Sequence, residues 1–165
     1  MYILNMLTNF DIINICKHYD ILLQGIYMKD ELPSTPNNGF YIINLQSSSQ
    51  GNGTHWNSLI IRNKNAYFLD PFGASPSVAI NNFCKGKHLG YNNWIIQNIK
   101  SENCGWYCIG LLLFLTKLDH LVTNQNFYSI CNQYSNGFYS NTMKNDAILK
   151  EMFFNCPLKS KLGIN

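Results

Sequence analysis

The stretch "HWNSLIIRNKNAYFLDPFG", residues 55–73, decides how the rest of the chain is read. Two apolar runs, 55–62 and 65–70, are joined by Asn63-Lys64, and Asn accepts the positive φ that a tight turn demands. The pattern predicts a β-hairpin in which Arg62 faces Asn65 and Asn57 faces Asp70. Side chains alternate along a strand, so His55 shares the face of Asn57 and becomes the diagonal neighbour of Asp70. Such diagonals are roughly 7–8 Å apart between Cα atoms, within reach of an imidazole and a carboxylate. A four-residue turn keeps this parity, whereas a three-residue turn breaks it. Asp70 is the only acidic residue between Glu31 and Glu102, and its neighbours are apolar, so leaving it unpaired would be costly. A His–Asp bond that merely stiffens the hairpin meets that need. It leaves unexplained why the pair lies beside the Gly-rich "SSSQGNG" at 47–53.

Working outward, "FYIINL" (40–45) and "NWIIQN" (93–98) read as further strands. "GIYMKDELPSTPNNG" (25–39) reads as loop, punctuated by Pro33, Pro36 and Gly39, and "PFGASPS" (71–77) ends the second hairpin strand. Thr8 and Asp11 form a capping-box pattern that opens a short helix to about Tyr19. From Cys104 to about His120 the chain is apolar on nearly all sides, as in a helix buried in a core. Residues 124–136 are polar and undetermined, and "NDAILKEMFF" (145–154) predicts a final helix before a loose tail. No repeat or linker divides the chain. The expectation is one α+β domain over residues 1–165.

A chain of 165 residues with 46% apolar and 13% charged residues buries a core and folds. The net charge of +3 permits an anionic partner without requiring one. Arg62 is the only arginine among 12 basic residues, and Asn, Ile, Tyr and Phe abound. This is the coding bias of an AT-rich genome, which takes functional weight away from the many Asn residues. The start "MYILNMLTNF" lacks the basic and apolar regions of a signal peptide, and the longest apolar run falls short of the ~20 residues that span a bilayer. The expectation is an intracellular protein, not secreted, with no membrane association and six scattered, reduced cysteines. Internal "KDEL" (29–32) and the Asn52-Gly53-Thr54 sequon carry no meaning there.

"SENCGWYC" (101–108) holds the residue with the most chemistry. Cys104 enters a helix N-terminus, which favours a thiolate, and Gly105 leaves room for a substrate backbone. Cys104 is equally readable as a small core residue. Cys108 lies one turn inside, where burial keeps a thiol inert. Of four histidines, His18 and His120 suit helix ends and His88 a solvated loop, so His55 is the candidate base. Gln97, seven residues before Cys104, is placed to donate to an oxyanion alongside the Cys104 N–H, although a Gln at a strand end is commonly just solvated. A zinc or redox module on Cys104 and Cys108 is the non-enzyme alternative, but the spacing lacks a second matching pair.

In order, His55-Trp56, "YFLDPFG", Gln97 and "NCGWYC" resemble the adenovirus-type maturation protease (adenain) family of cysteine proteases, whose clan includes the SUMO-specific proteases. The similarity spans roughly residues 8 to 118. It implies a papain-like core in which a mixed sheet packs on a buried helix carrying the nucleophile. It makes Cys104 the nucleophile, His55 the base, Asp70 its orienting acid and Gln97 the oxyanion donor. Asp stands where the adenovirus enzymes use Glu; both occur in the clan. The short chain is similar to the proteases of virophages and Polinton-type elements. That implies a monomer without cofactor, acting on the capsid protein of the same virus or element at the assembly site or within the virion. A SUMO- or ubiquitin-directed isopeptidase would use the same site. The adenovirus enzymes are also stimulated by DNA and by a capsid-derived peptide held through a separate cysteine. Cys84 does not align with that cysteine. Lys85, Lys87 and the C-terminal lysines are the candidates for weak DNA contact, or are simply solvated.

Overall fold

Asn63 takes φ 58° and reverses the chain between β3 (Trp56–Arg62) and β4 (Asn65–Leu69). These strands pair antiparallel from Arg62 opposite Asn65 to Ser58 opposite Leu69, the register expected from a two-residue turn. The computed structural model describes residues 4–154, so the tail beyond Phe154, with Cys156, lies outside the described residues.

Around the hairpin stands a five-stranded mixed sheet in the order β1-β2-β3-β4-β5. β2 (Gly39–Asn44) pairs antiparallel with β3, while β1 (Leu23–Met28) joins β2 and β5 (His88–Tyr91) joins β4 in parallel. The fold is α+β. Alternation along the central strands sorts their side chains into two cores. Ile42, Ile60, Tyr67 and Leu69 face α3 (Cys104–Leu118), and Tyr41, Ile43, Leu59, Ile61 and Phe68 face the other way, onto Ile80 and Phe83 of α2 (Val78–Phe83).

α3 is buried from Cys104 to Leu115. Such a helix is enclosed on every side. The sheet covers one flank, and α1 (Asn9–His18), α4 (Phe127–Asn136) and α5 (Asn145–Phe154) cover the rest. α1 starts where the capping box places it: the Thr8 backbone N–H donates to Asp11 Oδ2 at 2.9 Å, and the Asp11 N–H donates to Thr8 Oγ1 at 3.2 Å. α5 spans the residues expected of the final helix. α3 ends at Leu118, and a separate 3₁₀ turn, Asp119–Leu121, takes in His120.

Two expectations need correction, and two undetermined stretches hold helices. Residues 93–98 form no strand: the Ile96 and Gln97 amides both donate to Pro71 O, at 2.9 and 3.0 Å, in place of a ladder. The strand on that side is β5, a short segment with exposed ends. Part of the supposed loop 25–39 is β1, whose half-buried edge position hides its pattern. The polar stretch 124–136 contains α4, which buries Phe127, Ile130, Cys131 and Tyr134 at helical spacing. Beyond the 71–77 break, where no element is expected, stands α2, started by the Ser77 side chain accepting from Ile80 N.

Candidate active site

The "DPFG" turn after β4 fixes two functional groups at once. Gly73 N donates to Asp70 O at 2.8 Å and closes the turn, with Gly73 at φ 72°. A Cβ there would stand 2.8 Å from the Trp94 carbonyl carbon, so both the dihedral and the close approach require glycine. Within the turn, Phe72 N donates to Asp70 Oδ1 at 2.7 Å and orients the carboxylate. Pro71 O, by accepting from Ile96 and Gln97, ties the segment carrying Gln97 to the same turn.

His55 stands just ahead of β3, and its Nε2 lies 2.9 Å from Asp70 Oδ1. Phe72 stacks on the imidazole at a centroid distance of 4.8 Å and 20° between planes. The ring is thus held by its edge and its face. Burial disfavours the charged ring, but the hydrogen bond and charge of Asp70, together with the neighbouring Cys104, outweigh it and raise the imidazole to about 9.

Cys104 is the first residue of α3, and Trp56 N approaches its Sγ at 3.5 Å. Cys104 stands beside His55 and lines a cleft of about 540 Å³ together with Gly53, Thr54, Trp56 and Ile26. The N-terminal segment forms another wall: Trp56 Nε1 donates to Leu7 O at 2.9 Å and Trp106 Nε1 to Asn5 O at 3.0 Å. A Cβ on Gly105 would come within 3.2 Å of Leu7, so the small residue lets this strap lie against α3.

The structure therefore pairs His55 with Asp70, as the hairpin register leads one to expect, and places Cys104 beside the same imidazole. Gln97 sits in the loop before Cys104, not at a strand end; its Nε2 donates to Ser101 O at 2.7 Å, and its buried Oε1 has no partner. The carboxamide nitrogen keeps a second N–H. Cys108 is a different kind of thiol. It is fully buried, its Sγ donates to Trp56 O at 3.2 Å, and burial pushes its ionisation well above the ordinary thiol range.

His18 closes α1 against Tyr19, while His88, at the start of β5, and His120, in the turn after α3, are exposed. Lys87 donates to Asn63 O at 2.7 Å and so braces the hairpin turn. Among the described residues, no three His, Cys, Asp or Glu side chains cluster as metal ligands, and no helix is long and apolar enough to cross a membrane.

Sequence reasoning missed Asn92. Its Oδ1 accepts from Asp70 N at 2.9 Å, and its Nδ2 donates to Asp70 O at 2.6 Å and to Trp94 O at 3.1 Å. Nothing local marks this asparagine out, since its partner is 22 residues away in the chain. No protein-family model matches the sequence, and no curated protein does.

Proposed function

We propose that the protein is a cysteine endopeptidase of the adenain-like type, with a papain-like core, that processes the capsid protein of its own virus or element. The observation that carries this reading is the position of His55, bonded to Asp70 at 2.9 Å and close enough to Cys104 for that residue to help hold the imidazole proton, with Cys104 itself lining a cleft. A structural His–Asp bond accounts for the first contact only.

In this mechanism the Cys104 proton passes to His55 before substrate reacts, so the working form is a thiolate–imidazolium pair that Asp70 steadies. The thiolate attacks the scissile carbonyl, and the carbonyl π pair moves to oxygen. Gln97 and the Cys104 N–H receive that oxyanion. Collapse expels the amine, which takes its proton from His55. Water, deprotonated by His55, then cleaves the thioester and releases the acid. Each proton transfer by a positioned base contributes about 10²–10⁴-fold.

Cys108 counts against a zinc or redox module, because its thiol is buried and turned to the Trp56 carbonyl. To test the proposal, the purified protein is incubated with the capsid protein encoded by the same genome, and new termini are mapped by mass spectrometry. Discrete cleavage that Cys104→Ala abolishes supports the reading. An intact capsid protein, with capture instead by a ubiquitin-like probe bearing a C-terminal electrophile, would assign the site to an isopeptidase.

A further inference from the structure

We propose that Asp146 in the first turn of α5 is a positioning residue for the oxyanion site, acting through the loop that carries Gln97 and leads into Cys104. This inference rests on the endopeptidase reading above.

Three donors converge on the Asp146 carboxylate. Ser101 Oγ and Tyr107 Oη donate to Oδ1 at 3.1 and 2.8 Å, and Asn103 Nδ2 donates to Oδ2 at 3.0 Å. They bracket Cys104, two lying before it and one nearly a turn after. The donors are 45, 39 and 43 residues away in the chain, so local helix-start chemistry does not explain their convergence. Asn103 occupies the N-cap position of α3, but its side chain makes no cap bond. It turns to Asp146 instead.

The grip reaches Gln97 through Ser101. Gln97 Nε2 donates to the carbonyl of Ser101, the residue whose hydroxyl Asp146 holds. The adjacent Asn145 is fully buried and donates through Nδ2 to Ile96 O at 2.8 Å, immediately before Gln97. One helix start therefore holds the loop on both sides of the amide to which the proposed mechanism assigns the oxyanion. Residues 92–103 have no strand or helix of their own to fix them. Oxyanion donors need placement to roughly 0.5 Å, so such a loop must be held from outside. Asp146 does this without touching the reacting atoms.

Two reagents separate oxyanion support from thiol activation. Iodoacetamide is displaced at a methylene carbon by Cys104 Sγ, releasing iodide, and builds no oxyanion. N-acetylglycinal forms an S–C bond at its carbonyl, and the π pair and thiol proton pass to oxygen, giving a hemithioacetal. Asp146→Ala is expected to weaken the hemithioacetal at least ~10-fold while alkylation at Cys104 stays within ~2-fold of wild type. Tyr107→Phe removes one of the three donors and should shift the aldehyde affinity the same way by less. It decides the matter if Asp146→Ala does not fold by circular dichroism. Aldehyde affinity unchanged in the folded variants, or falling in step with alkylation, would overturn the proposal and leave the endopeptidase reading standing. A wild-type Cys104 that reacts with neither reagent would sink both.

Discussion

Asn92 holds Asp70 at both ends of its peptide unit: it accepts the Asp70 N–H at 2.9 Å and donates to the Asp70 carbonyl at 2.6 Å, with its own side chain wholly buried. The acid that orients His55 is therefore fixed through its backbone as well as its carboxylate. Asn92→Ala would leave the buried Asp70 N–H unpaired, while the Asp70 carbonyl keeps the Gly73 N–H, and should destabilise the fold by about 1–3 kcal/mol. Urea unfolding measures this, and peptidase activity should fall further than stability does.

The His55 imidazole is raised to about 9, against the ordinary value of about 6.5. The proton is bound more tightly in the folded state. The stabilisation from pairing is therefore complete below ~6.5 and disappears as pH rises through about 9. The stability advantage of wild type over Asp70→Asn should be largest at low-neutral pH and shrink toward ~10. The alkaline limb of activity should lie near 9 in wild type and move to lower pH in Asp70→Asn. Denaturation and rate profiles across this window check both.

Gly73→Ala should cost about 1–3 kcal/mol, because a side chain at φ 72° is strained and its Cβ meets the Trp94 backbone. The same turn carries Asp70 and, through Pro71 O, the Gln97 segment. Activity should drop by more than thermal denaturation accounts for.

The two helix cysteines should separate cleanly. Cys108→Ala removes a buried S–H donor to Trp56 O and should lower stability by about 1–3 kcal/mol while leaving cleavage within a few-fold. Cys104→Ala should abolish cleavage and leave the melting temperature close to wild type. Paired melting and cleavage assays distinguish this from the reversed assignment.

What could be read in advance follows from range. The hairpin was legible because a two-residue turn sets register and parity together, bringing His55 within reach of Asp70. The α1 start and the buried α3 were legible because a capping box and an unbroken apolar run are local signals. β1 and β5 were not, since short edge strands at half burial lack clear alternation. "NWIIQN" misled because its apolar residues serve a loop whose amides bond to Pro71 rather than to a strand. α4 carried a readable signal in Phe127, Ile130, Cys131 and Tyr134, masked by its Asn, Gln and Ser content. Asn92, Asn145 and Asp146 were invisible for a different reason. Each acts through hydrogen bonds to residues more than a local segment away, and side-chain chemistry alone does not announce such partners.

Activation of Cys104 by His55 underlies every step of the proposed chemistry, and the alkylation rate of that thiol reads it without any knowledge of the substrate. At slightly acidic pH, iodoacetamide should label Cys104 in wild type ahead of the buried Cys16, Cys108 and Cys131, and His55→Ala should slow that labelling at least ~10-fold with the fold intact. Equal labelling rates in the two proteins would mean that the imidazole does not activate the sulfur, and the catalytic assignment would not stand.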